Sequence, residues 1–135
     1  MTNDQASITR QLPRTNVQTK REFDLEQRTL TFARRARDFV MRLSRTTANL
    51  EYGKQLIRST GSTGANYIEA NEALSKKDFV NRIRICRKEA KESGYWYQLI
   101  LVGDNPALEA ERQALLQEAR ELTLIFNAIV SKNGS

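Results

Sequence analysis

Two pairs of glutamates are the sequence's candidates for bond-breaking chemistry. Glu69 and Glu72 stand three apart, as do Glu89 and Glu92, which puts each pair on one face of a helix. Two such helices side by side would gather four carboxylates into an oxygen-rich Mg²⁺ site, as a Mg-dependent nucleotide hydrolase needs. Lys88 and Lys91 sit among these glutamates, however, and helix-surface ion pairs account for the spacing without any metal. The chain contains no histidine. That excludes Ser–His and Cys–His nucleophile pairs, histidine general bases and imidazole-bound zinc. The one cysteine, Cys86, excludes a disulfide framework and suits a reducing cytoplasmic setting. The expectation is a protein that is not an enzyme and has no catalytic residue, metal or cofactor.

Positive charge is the second candidate for function. Arg28, Arg35 and Arg42 recur every seven residues, and so do Lys77, Arg84 and Lys91, with Arg87 and Lys88 beside them. Stripes of this kind are the footprint of phosphate-backbone contact, and Arg35, Arg42, Arg84 and Lys77 are the foremost candidates. They are equally what a solvated helix face looks like, with Asp38, Glu89 and Glu92 nearby to pair with them. Residues 1 to 102 hold 19 basic and 11 acidic groups, a balance of +8, whereas residues 103 to 135 hold three and five, a balance of −2. The +6 of the 135-residue chain is therefore carried by its first three quarters.

The elements that must position these groups are helices throughout. Residues 1–22 read as a disordered basic tail, with four basic groups, Arg10, Arg14, Lys20 and Arg21, against Asp4 and Glu22 and too little apolar surface to order them. From Phe23 to Lys132 the apolar period is helical and no alternating strand pattern persists. The first helix spans Asp24 to Thr46 on a stripe of Leu25, Phe32, Ala36, Phe39, Val40 and Leu43. Asn49 is the expected cap of a second, which runs to Glu72 through Tyr52, Leu56, Thr60, Thr63, Tyr67 and Ala70. Ser75 with Asp78 caps a third helix beginning at Lys76, with Phe79, Ile83, Cys86, Ala90, Gly94, Tyr97 and Leu101 inward. Gly103 suits its C-terminal stop, Asn105 caps the fourth helix and Pro106 takes its first position. The fourth stripe is Leu108, Leu115, Ala119, Leu122, Phe126 and Ile129. Connections this short force antiparallel neighbours, so the fold class is all-α, an up-and-down four-helix bundle in one domain. No apolar run reaches the ~20 residues that span a bilayer, and no apolar signal segment opens the chain.

Three local features test that bundle. Gly61 and Gly64 each cost about 1 kcal/mol inside a helix, which close approach by a neighbouring helix would offset. A phosphate-cradling loop is the rival, but no Gly-Lys-Ser/Thr element is present. Asn66, in a small and apolar stretch, reads with Glu69 as a structural polar contact to the third helix, at Arg84, Lys88 or Tyr95. The run from Tyr95 to Val102 is apolar nearly all round, and consecutive residues ~100° apart cannot all face one core. Tyr95, Trp96 and Ile100 are accordingly expected at a contact between subunits. Cys86, on the apolar stripe, reads as a core residue.

Several runs in helices two and three go beyond general helix physics. They are Gln55-Leu56-Ile57-Arg58-Ser59, Gly64-Ala65-Asn66-Tyr67-Ile68-Glu69-Ala70, Ser75-Lys76-Lys77-Asp78-Phe79, Lys88-Glu89-Ala90-Lys91-Glu92 and Tyr95-Trp96. As an ordered set they resemble the bacterial four-helix-bundle proteins of ribosomal RNA intervening sequences, over roughly Phe23 to Val130. Many members carry Gly after the Glu of the Asn-x-x-Glu motif, where this chain, like a common subgroup, has Ala70. The resemblance implies a homopentameric ring and kinship with the accessory variability proteins of diversity-generating retroelements, basic pentamers that bind a reverse transcriptase and nucleic acid. It brings no catalytic residue.

The combined expectation is a cytoplasmic, non-enzymatic, homopentameric scaffold that binds RNA or DNA through phosphate contacts, with a reverse transcriptase as a further partner and no membrane. Its nucleic-acid-binding residues would be Arg28, Arg35, Arg42, Lys77, Arg84 and Lys91. The alternatives are a protein-interaction adaptor that binds no nucleic acid, and the hydrolase of Glu69, Glu72, Glu89 and Glu92. In one bundle the first and third helices lie on a diagonal, so their basic stripes point apart and act together only in an oligomer.

Overall fold

The computed structural model describes the backbone of residues 16–133 and the side chains of residues 25–133. Four helices follow one another: α1 (Asn16–Met41), α2 (Thr47–Asn71), α3 (Lys76–Leu99) and α4 (Pro106–Asn133). No strand occurs among the described residues. Each helix packs on its sequence neighbours, and α1 also meets α4 to close the bundle. The seams are antiparallel. Arg28 and Arg35 of α1 meet Glu118 and Glu111 of α4, and Arg58 and Asn66 of α2 meet Glu92 and Arg82 of α3.

The core is assembled from the predicted stripes. Phe32, Ala36, Phe39, Leu56, Tyr67, Ile83, Cys86, Ala90, Tyr97, Leu115, Leu122 and Phe126 are all buried. Each fully buried Phe or Leu contributes about 2 kcal/mol of transfer free energy. Cys86 is such a residue, and burial pushes its thiol pKa up to about 12.

Helix ends follow cap chemistry. Ser75 Oγ accepts from the Asp78 amide at 3.0 Å, and Asn105 Oδ1 from the Leu108 amide at 3.1 Å. Four boundaries differ from expectation. Helix α1 starts at Asn16 rather than Asp24 and ends at Met41 rather than Thr46; of the expected tail, residues 1–15 lie outside the described residues. Helix α2 is capped by Thr46, whose hydroxyl accepts from the Asn49 amide at 3.1 Å. Asn49 thus lies inside the first turn and turns its side chain elsewhere. Helix α3 ends at Leu99, and Ile100 is already extended (φ −65°, ψ 142°). Gly103 holds the positive φ of +63° that glycine adopts freely, but in the loop beyond.

That early end corrects one prediction at a subunit contact. Leaving the helix at Ile100 breaks the 100° progression, so Ile100 turns inward and is 1% exposed while Leu101, expected inside, is 56% exposed. Ile100 is a core residue of the protomer and presents no surface to another copy.

Candidate nucleic-acid interface

The seven-residue arginine stripe of α1 is turned toward α4. Arg28 Nε and Nη2 reach the two Glu118 carboxylate oxygens at 2.7 and 2.8 Å, and Nη2 also meets Glu121 at 2.8 Å. Arg35 Nε and Nη2 reach Glu111 at 3.2 and 3.0 Å. Both guanidinium groups have pKa values raised above the ordinary arginine value, chiefly by these hydrogen bonds. The first and last of these helices approach less closely than the other neighbours, and long Arg–Glu bridges suit the wider seam. Arg28 and Arg35, placed on the phosphate-binding list from their period, are therefore neutralised within the protomer. Their counterpart was legible too, because Glu111 and Glu118 also stand seven apart. Arg42 is exposed and has no ion pair among the described residues.

The stripe on α3 is different. Lys77, Arg84 and Lys91 are exposed, as is Lys88, and none has an acidic partner within ion-pair distance among the described residues. Arg84 donates to Asn81 at 3.3 Å and Arg87 to Asn127 at 2.8 Å, both neutral. The acids that sequence spacing offers as partners are engaged elsewhere. Glu89 and Glu92 both pair with Arg58 of α2, whose two Glu89 contacts are 3.3 Å long. Arg120 of α4, not singled out by its sequence position, lines the α3–α4 seam with Lys91. Positive charge without internal compensation thus gathers along one seam.

A groove runs along this seam. One part, about 650 Å³, is lined by Arg84, Ile85, Arg87, Lys88, Lys91 and Asn127, and another, about 570 Å³, by Ala90, Gly94, Tyr95, Gln98, Leu116 and Arg120. Lys91, Thr123 and Leu124 belong to both, which makes the two parts continuous. Small residues open it. A Cβ on Gly94 would stand 3.3 Å from Leu116 Cδ1, so the helices are near their closest approach there.

The three consecutive aromatics point three ways, as helix geometry requires. Tyr97 is buried against Phe39, Trp96 is half-buried and stacked on Tyr52 at 6.0 Å, and Tyr95 is 57% exposed in the groove wall. Trp96 Nε1 also donates to Glu92 at 3.4 Å, which fixes it within the protomer.

Asn66 does contact α3, through a different residue from those expected. Its Oδ1 accepts from Arg82 Nη1 at 2.9 Å while its Nδ2 donates to Ser62. Glu69 is exposed and takes no part. The four glutamates of the hydrolase alternative do not converge. Arg58 occupies the Glu89–Glu92 pair. Ser59 meets Ser93 across the seam, so one turn on Thr63 is level with Glu89, and Glu69 lies six residues beyond it, about 9 Å along the helix. No group of three acidic, Cys or His residues among those described could hold a metal ion.

An antiparallel all-helical bundle whose α3–α4 seam is basic and lacks acidic partners among the described residues is the class that fold and surface define. The chain belongs to the family of 23S rRNA-intervening sequence proteins, whose pattern matches residues 21–128. It is similar to a crystal structure of a protein of unknown function from the S23 ribosomal protein family of Bacteroides thetaiotaomicron. The two are 27% identical, with a TM-score of 0.70 over 82% of this chain and 97% of that one. Among curated proteins none matches. No helix among the described residues is long and apolar enough to cross a membrane.

Proposed function

We propose that this protein is a non-enzymatic, homopentameric cytoplasmic scaffold that binds the phosphate backbone of RNA or DNA along its α3–α4 seam. One observation carries the reading: Arg84, Lys88, Lys91 and Arg120 converge on one groove without an acidic partner among the described residues, whereas Arg28, Arg35 and Arg58 are each matched to glutamates. Unpaired cations on a rigid helix face lose little on meeting phosphates and release counterions from the nucleic acid. Lys77 extends the line along α3 seven residues before Arg84, and contacts to phosphate alone give no sequence readout. This seam takes the place of the diagonal pair of stripes, because Arg28 and Arg35 of the α1 stripe are bound to glutamates and leave only Arg42 of that stripe without an ion pair among the described residues.

Assembly is supported by a second face. Leu50, Ile57 and Ile68 are 40%, 45% and 53% exposed and fall on one line down α2 with Gly61, above which nothing lies within 4 Å. Apolar surface in register along a helix suits a copy of the same chain. A reverse transcriptase remains the partner that the family resemblance implies.

The test is binding of a fluorescein-labelled oligonucleotide followed by anisotropy between low and high salt. Wild type should lose affinity steeply as salt rises. Arg84→Glu with Lys88→Glu and Lys91→Glu should lower the slope of log affinity against log salt by about three, near one per lost phosphate contact. Salt-independent binding, or unchanged binding by the triple variant, refutes the reading.

A further inference from the structure

The groove on the basic seam holds more than charge. Arg84, Lys88, Lys91 and Tyr95 are spaced four, three and four residues apart, which places them on a single line along α3. The line starts on exposed cations and ends on an exposed aromatic ring in the groove wall. Below the ring the groove floor is apolar, formed by Ala90, Gly94, Leu116 and Ala119. Gly94 contributes to that floor because it has no side chain to fill the trough. Arg120 of α4 and Lys91 of α3 line this part of the groove together. Tyr95 is held from behind by Trp96, edge to face at 5.1 Å, and Trp96 is itself stacked on Tyr52. The ring is therefore a backed platform rather than a loose surface side chain.

We infer that the α3–α4 groove takes single-stranded nucleic acid, with phosphates on Arg84, Lys88, Lys91 and Arg120 and an unstacked base against Tyr95 over the apolar floor. This rests on the backbone-binding reading and adds the form of the ligand. A duplex keeps its bases inside and can use only the cations, whereas a single strand can use both halves of the groove. A backbone-only site has no use for an apolar trough of about 570 Å³ continuous with its cations. A single strand offers successive phosphates to the cations and a flat π face to the ring that follows them along α3.

Four fluorescein-labelled probes separate the outcomes at one salt concentration: a twenty-nucleotide oligothymidine, the same strand with every base removed, a twenty-nucleotide oligouridine, and a duplex of equal length. The base-bearing strands should bind about tenfold more tightly than the abasic strand, the span expected for one stacked base, and more tightly than the duplex. Tyr95→Ala should erase the difference between base-bearing and abasic strands while keeping salt-dependent binding, and Tyr95→Phe should retain it. The ratio of oligouridine to oligothymidine affinity tells RNA from DNA. Equal binding of all four probes overturns the base pocket while leaving backbone binding standing. Absence of binding to any probe overturns both. A change in sedimentation mass on Tyr95→Ala would assign the groove to a subunit contact and also overturn the inference.

Discussion

Arg28 grips Glu118 across the α1–α4 seam with two parallel hydrogen bonds, Nε at 2.7 Å and Nη2 at 2.8 Å. This fork-to-carboxylate geometry consumes a charge that its seven-residue period had offered to phosphate. The pair is about one-third exposed on the arginine side, so water and salt weaken it. Arg28→Ala should lower unfolding free energy by no more than about 1 kcal/mol and leave oligonucleotide affinity where it was. Urea titration and anisotropy on the same variant check both halves. A loss of affinity would return α1 to the nucleic-acid surface.

Asn49 should be worth far more than its place near a helix start suggests. Its Nδ2 donates to the carbonyls of Ser44 at 3.0 Å and Leu101 at 2.9 Å, and its Oδ1 accepts from the Leu101 amide at 2.9 Å. One side chain, 4% exposed, thus satisfies three backbone groups in two loops at one end of the bundle. Asn49→Ala should cost roughly 2–3 kcal/mol because those groups lose their partners in a site closed to water. The urea midpoint should fall with the m value unchanged.

Cys86 gives the fold a measurable alkaline edge. Burial raises its thiol from 9.0 to about 12, so the folded state holds the proton more tightly than the unfolded chain. The associated stability is fully present below about pH 9 and is lost as pH rises through about 12. Burial pushes the Tyr97 hydroxyl in the same direction. Stability measured by urea should therefore fall from pH 9 upward, and Cys86→Ala should flatten the slope without abolishing it. At pH 8 the native thiol should resist a disulfide reagent and react only in urea.

How far the sequence could be read depends on how local each signal is. The apolar stripes are local, and Phe32, Leu56, Ile83, Leu122 and Phe126 are buried as their period requires. Caps at Ser75 and Asn105 are local as well. Charge neutralisation is not. Whether Arg28 or Arg84 is free depends on which helix lies opposite, and only the closed bundle sets Glu118 beside one and neutral Asn127 near the other's seam. Ile100 failed for a third reason: a helix period says nothing once the backbone leaves the helix. Arg120 has no basic residue within seven positions of it in the sequence and becomes part of a basic groove only beside Lys91.

Two of the three glycines of α2, Gly61 and Gly64, should respond oppositely to the same methyl group. A Cβ at Gly64 would stand 3.1 Å from Thr29 Oγ1 and 3.2 Å from Thr29 Cβ, and Thr29 is 2% exposed with its hydroxyl bonded to the Leu25 carbonyl. Neither partner can yield without parting α1 from α2. Gly64→Ala should therefore destabilise the protomer by about 1 kcal/mol or more, the overpacking strain exceeding the gain in helix propensity. Gly61 meets nothing within 4 Å inside the protomer, so close intramolecular packing explains Gly64 and leaves Gly61 without that reason. The line it shares with Leu50, Ile57 and Ile68 supplies one if another copy sits there. Gly61→Ala should then raise the unfolding free energy of dilute protein by up to about 1 kcal/mol, seen as a raised urea midpoint, while weakening self-association about tenfold through the added methyl group. Sedimentation across a concentration series reads the second effect. Unchanged association alongside a raised midpoint would remove α2 as the face between copies.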